Sequence, residues 1–141
     1  MPGVEVARGR QGLHALLGEA DIVVNLLPLT PDTQGLFNAT TLAAMRPGAS
    51  LVNLARGGHV VETDLLAALD AGHLRHAVLD VFRDEPLPQH HPFWGHPRVT
   101  VRPHVAAATD PRSAAQVVAR NIRALREGRP LAHLVDRAVG Y

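Results

Sequence analysis

Apolar runs alternate with helix-period segments from Asp21 to Arg126. The first run, Ile22-Val23-Val24-Asn25-Leu26-Leu27, ends at Pro28 and follows a short helix expected near Leu13 to Leu17. A second helix is expected over Asn38 to Met45, capped by Asn38 or a following threonine and stopped by Pro47-Gly48. Ser50 to Leu54 reads as a second strand, closed by the turn-forming pair Gly57-Gly58. Thr63 to Ala71 sets Leu65, Leu66 and Leu69 on one helical face, with Gly72 positioned to end it. Ala77-Val78-Leu79 and Val99-Thr100-Val101 supply the third and fourth runs. The last helix is the best marked, with Asp110 as cap and Pro111 in its first turn. Its apolar stripe is Ala114, Val118, Ile122 and Leu125, at spacings of four, four and three, and Gly128 and Pro130 end it. Runs that are continuously apolar, not alternating, predict an α/β fold with a parallel sheet covered on both faces.

Such a sheet gathers function at the carboxyl ends of its strands. Arg56 follows the second run, Asp80 and Glu85 the third, and His104 the fourth. An arginine fork can grip a carboxylate through two parallel hydrogen bonds. A histidine can give a proton to a carbonyl oxygen during reduction and take it back in reverse. A carboxylate bonded to the imidazole favours its protonated form and fixes its orientation. Together they suit interconversion of a 2-oxo acid and a 2-hydroxy acid, with hydride from a nicotinamide because no side chain supplies one. Each residue also has a plainer reading. Arg56 can be a turn residue, Glu85 a solvated loop acid, His104 a structural histidine, and Asp80 a strand terminator. Joint placement at successive strand ends is what favours the functional reading.

Composition narrows the chemistry further. The chain has 141 residues, 46% hydrophobic and 19% charged, with a formal charge of +1. All 14 basic residues are arginine, so lysine Schiff bases and P-loop lysines are excluded, and zero cysteines exclude thiol catalysis and cysteine-ligated metals. No apolar run approaches membrane-spanning length and no signal segment is apparent, so a small, soluble, cytoplasmic domain is expected. Arg120, Arg123 and Arg126 read as a solvated helix face, and neither nucleic acid nor membrane is expected as a partner. His90, His91 and His96 sit in a loop without a convincing carboxylate partner, so no metal site is expected. Trp94 reads as a core anchor under that loop, with a wall of the substrate site as the alternative.

Four segments then stand out: Asn25-Leu26-Leu27-Pro28-Leu29-Thr30, Asn53-Leu54-Ala55-Arg56-Gly57, Leu79-Asp80-Val81-Phe82 through Glu85-Pro86-Leu87, and Pro103-His104-Val105-Ala106-Ala107. From about Asp21 to Leu125 the chain resembles the D-isomer-specific 2-hydroxyacid dehydrogenase family. His59-Val60-Val61-Glu62, the segment Pro92 to Val99, and the ending Val135 to Tyr141 resemble its glyoxylate/hydroxypyruvate reductase A branch. The resemblance implies Arg56 as the carboxylate arginine, Glu85 as the acid paired with histidine, and His104 as the general acid/base. It also implies that Leu27, Pro28, Thr33, Ala55, Arg56, Asp80, His104, Ala106 and Ala107 lie along NADP or NAD, with NADPH favoured. Small 2-oxo acids, glyoxylate and hydroxypyruvate, are the implied substrates.

The family's Gly-x-Gly-x-x-Gly loop is absent: Gly3, Gly9, Gly12 and Gly18 lack its spacing. The expectation is therefore the second half of a Rossmann-type doubly wound sheet. Residues 1–126 would form part of a dinucleotide-binding domain, and 127–141 a tail returning toward an absent substrate domain. Little or no catalysis is expected from the chain alone. A homo-oligomer or association with the missing half is expected, and the alternative is a non-catalytic remnant serving as a binding or oligomerising module.

Overall fold

Four short strands form one parallel sheet: β1 (Ile22–Asn25), β2 (Ser50–Asn53), β3 (His76–Leu79) and β4 (Val99–Val101), in the order β1-β2-β3-β4. The computed structural model describes residues 3–138, and the chain divides into two compact units between His104 and Val105. The first unit holds the sheet with helices α1 (Gly9–Glu19), α2 (Ala39–Ala43) and α3 (Glu62–Asp70); the second holds α4 (Pro111–Arg126). The α/β class and every predicted strand and helix are present. Val139, Gly140 and Tyr141, which close the last resemblance segment, lie outside the described residues.

Local chemistry explains the helix ends. The Asn38 side chain accepts from the Thr40 and Thr41 N–H groups, while Thr41 returns a bond to the Asn38 N–H, so α2 begins on a reciprocal cap. Asp110 accepts from the N–H groups of Arg112 and Ser113, and Pro111 occupies a first-turn position whose missing N–H has no helical partner to lose. Gly72, at φ 72°, takes the left-handed conformation that follows α3.

The core lies on one face of the sheet. Leu17 of α1, Leu42 of α2, and Leu65 and Leu69 of α3 join Leu51, Ala77 and Leu79 of the strands in a single apolar cluster. Each fully buried leucine contributes on the order of 2 kcal/mol. The opposite face corrects the expectation of a sheet covered on both sides. Alternate strand residues point to opposite faces, and Ile22 and Val24 are 57% and 51% exposed. The helices of the first unit all contribute to the cluster on the other face, so exposure on this face is greatest at the β1 edge.

α4 brings a second correction. Of the predicted apolar stripe, Val118, Ile122 and Leu125 are exposed and only Ala114 is half-buried, whereas Ala124 is buried and Val117 and Asn121 are half-buried. The inward line is thus rotated by about one residue. Asn121 explains part of it: its amide donates to the Ala132 carbonyl at 3.0 Å and accepts from the Ala132 N–H at 2.9 Å. A polar residue on the helix holds the returning chain.

Candidate active site

Two asparagines build the floor of the strand-end edge. Asn25 and Asn53 are register partners at the carboxyl ends of β1 and β2, and both are buried. Asn25 Nδ2 donates to Asn53 Oδ1 at 2.9 Å, while their remaining bonds reach into the loops beyond. Asn25 Oδ1 accepts from the Leu27 N–H, Asn53 Oδ1 accepts from the Ala55 N–H, and Asn53 Nδ2 donates to the Arg56 carbonyl. The loop with Leu27 and Pro28 and the loop with Arg56 are therefore held by one buried amide pair. Sequence reasoning met both residues at the head of longer segments and gave neither a role. Their signal was an asparagine at the same place in two successive apolar runs.

Arg56 has extended backbone, φ −146° and ψ 148°, and is exposed. Its Nη1 donates to the Ala55 carbonyl at 2.6 Å. The next residue must be glycine for packing reasons. A Cβ on Gly57 would lie 1.9 Å from the Phe82 carbonyl carbon, so the arginine loop rests directly on the backbone that follows β3.

The same Phe82 backbone orients the carboxylate. Its N–H donates to Glu85 Oε1 at 2.8 Å, and His104 Nδ1 lies 2.8 Å from Glu85 Oε2. With both oxygens engaged by donors, His104 carries its proton on Nδ1 toward Glu85. The Glu85 carboxyl is held below its usual range, first by the His104 hydrogen bond and next by the Phe82 N–H. His104 has φ 55°, a left-handed conformation that disfavours a branched or bulky side chain. Arg56, Glu85 and His104 line one cleft of about 620 Å³, together with Gly57, Gly58 and Phe82. The pair also borders an apolar cavity of about 650 Å³ walled by Leu87, Trp94 and Val101.

The other expected residues fall as follows. Leu27 and Pro28 are exposed beyond β1, and Thr33 closes their loop by donating from Oγ1 to the Pro28 carbonyl at 2.7 Å. Ala55 is buried beside Arg56. Asp80 is only 2% exposed, and its N–H donates to the Asn53 carbonyl. Ala106 and Ala107 belong to the second unit.

Trp94 is corrected from its expected role. It is 55% exposed, and the buried aromatic of that turn is its neighbour Phe93. The indole N–H donates to the Pro88 carbonyl at 2.9 Å. The histidine loop also has carboxylate partners that the sequence did not reveal. His91 Nε2 meets Glu62 at 3.3 Å and His96 Nε2 meets Asp70 at 3.1 Å, tying the loop to both ends of α3. Each Nδ1 accepts a backbone N–H, from Phe93 and Arg98 respectively. The histidines stand in separate pairs, and no group of three metal-binding side chains occurs among the described residues. No helix of the described residues is long and apolar enough to cross a membrane.

Arg56, Glu85 and His104 thus gather beyond the carboxyl ends of a four-stranded parallel sheet, the edge at which open α/β sheets bind their ligands. The chain belongs to the D-isomer specific 2-hydroxyacid dehydrogenase family, whose NAD binding domain model matches residues 4–106. It is 51% identical over 140 residues to glyoxylate/hydroxypyruvate reductase A of Salmonella newport, covering 99% of this chain and 45% of that protein. A D-isomer specific 2-hydroxyacid dehydrogenase from Xanthobacter autotrophicus Py2, crystallised with NADPH and MES, superposes with a TM-score of 0.91 at 46% identity. That match covers 94% of this chain and 55% of the other. The NADPH-dependent glyoxylate/hydroxypyruvate reductase of Sinorhizobium meliloti, in complex with NADP and sulfate, gives a TM-score of 0.89 at 45% identity, over 95% and 44% of the two chains. The chain thus spans about half the length of these relatives.

Proposed function

We propose that this chain carries the substrate-gripping and acid–base residues of an NAD(P)H-dependent reductase of small 2-oxo acids, with glyoxylate and hydroxypyruvate as substrates and NADPH as the favoured cofactor. The observation that carries this reading is the 2.8 Å contact from His104 Nδ1 to Glu85, in the cleft that Arg56 also lines. Arg56 binds the substrate carboxylate through its guanidinium fork. Glu85 holds the ring by Nδ1, which leaves Nε2 of the imidazolium to hand a proton to the substrate C2 oxygen. In the reverse direction Nε2 takes the proton from the hydroxyl.

The residues present fit the reactive end of a nicotinamide dinucleotide. Leu27 and Leu29, 44% and 41% exposed beyond β1, offer an apolar ledge for a flat ring. The cofactor would lie along Leu27, Pro28 and Thr33, the backbone of Ala55 and Arg56, Asp80 and His104. When bound, it supplies the hydride. The sequence has no Gly-x-Gly-x-x-Gly loop for its pyrophosphate. Residues 1–126 are accordingly assigned to part of a dinucleotide-binding domain and 127–141 to a tail.

The test is NADPH oxidation with glyoxylate, by this chain alone and joined to the preceding region of a homologous reductase. The expected result is little or no turnover alone and glyoxylate-dependent turnover when joined, abolished in H104A. A joined protein as active with H104A as without it would overturn the reading.

The exposed β1 edge favours a second reading. Ile22 and Val24 of the edge strand are more than half exposed, a surface suited to self-association or to a partner half. As a non-catalytic module the chain would sediment as an assembly and show no glyoxylate-dependent turnover when joined.

A further inference from the structure

We infer that His59 is a positioning residue that sets where Arg56 stands, an inference resting on the reading of Arg56 as the carboxylate grip. His59 is completely buried, in the short 3₁₀ turn Gly57–His59 that follows the arginine. Both of its ring nitrogens face backbone carbonyls. Nδ1 is 3.0 Å from the Arg56 oxygen and Nε2 is 3.2 Å from the Pro28 oxygen. These carbonyls belong to the loops after β2 and β1, so the imidazole is a rigid spacer between the arginine and the apolar ledge.

The chemistry of the ring makes this more than packing. A neutral imidazole has one N–H, so it donates to one of the two carbonyls; donating to both takes a second proton. In either form a planar ring of fixed width separates the two oxygens. The Arg56 carbonyl also accepts from Asn53 Nδ2 at 3.0 Å and from the His59 N–H at 3.3 Å. The peptide plane after Arg56 is therefore fixed from several directions, and with it the extended backbone from which the guanidinium projects. The Pro28 carbonyl is held independently by Thr33 Oγ1 at 2.7 Å. Replacing the imidazole with the somewhat larger phenyl ring keeps a flat aromatic spacer but removes both ring nitrogens and with them the tie.

The test compares the chain with H59F, H59Q and R56Q by NMR. One readout is the order of the Arg56 side-chain Nε–H. The other is affinity for oxamate, an unreactive 2-oxo acid isostere, followed on the same resonance and on neighbouring amides. In H59F the Arg56 signal is expected to lose order and oxamate affinity to fall about tenfold. H59Q, which keeps one donor, is expected to recover part of both. H59F with wild-type Arg56 order overturns the positioning role. Undiminished oxamate affinity in R56Q, or no response of wild type to oxamate, overturns the grip reading instead, and Arg56 order still decides the tie. Should neither His59 variant fold, the ring N–H of wild-type His59 decides. Protection from solvent exchange supports the tie, and rapid exchange overturns it.

Discussion

Asn25 and Asn53 face each other across β1 and β2, and the 2.9 Å bond between their side chains is the point from which both site loops hang. Removing one amide strands several groups at once. In N53A the Asn25 amide and the Ala55 N–H lose their acceptor and the Arg56 carbonyl loses a donor. Leaving buried polar groups unpaired costs about 1–3 kcal/mol each, so a loss of about 3 kcal/mol is expected by urea unfolding. A loss below about 1 kcal/mol would mean that the loops do not depend on the pair.

Gly57 tests the contact between the arginine loop and the Phe82 backbone. An added Cβ meets backbone atoms at 1.9 to 2.3 Å, and a backbone cannot rotate away as a side-chain tip can. G57A is expected to destabilise by about 3 kcal/mol or more. G58A serves as the control, because its added Cβ meets only the end of the Leu29 side chain at 3.0 Å. Thermal unfolding of the two variants should differ widely.

Acid should weaken the Glu85–His104 corner. Glu85 is held below its ordinary value of 4.5, first by its bond with His104 and then by the Phe82 N–H. A carboxyl depressed in the native state stabilises fully above its unfolded value, and that contribution is lost as pH falls through the lower native value. The Tm difference between wild type and E85Q is thus expected to be largest at neutral pH and to close below about 4.5. A gap that stays constant into acid would show that the charge of Glu85 contributes nothing to stability.

On α4 the expected outcome is tolerance. Ile122 and Leu125 are 48% and 69% exposed, so I122Q and L125Q should each change stability by about 0.5 kcal/mol or less. Losses of about 2 kcal/mol or more, checked by helical ellipticity on denaturant titration, would restore the stripe that the sequence suggested.

Element order and type could be read from periodicity because each strand is a short apolar run and each helix carries a cap or stop of known chemistry. Asn38, Gly72 and Asp110 act where their side chains or backbone freedom predict. The strand-end rule likewise brought Arg56, Glu85 and His104 to one edge. A four-residue apolar strand reads the same whether one face or two are covered, so the exposure of Ile22 and Val24 could not be read from it. Phe93 and Trp94 are adjacent aromatics, and the turn geometry alone decides which points inward. His59 and the Phe82 N–H were hidden for a different reason. His59 reaches a carbonyl 31 residues away, and the donor to Glu85 is a backbone amide; neither leaves a mark in residue type.

Trp94 gives this arrangement an optical signature. It is the sole indole in the chain, so all tryptophan emission comes from one ring on the wall of the cavity beside Glu85 and His104. Half-exposed and anchored through its N–H to Pro88, it reports polarity at that wall without any added dye. Whatever fills the cavity, a small acid or a neighbouring surface, would shift that single band toward the blue as water leaves the ring.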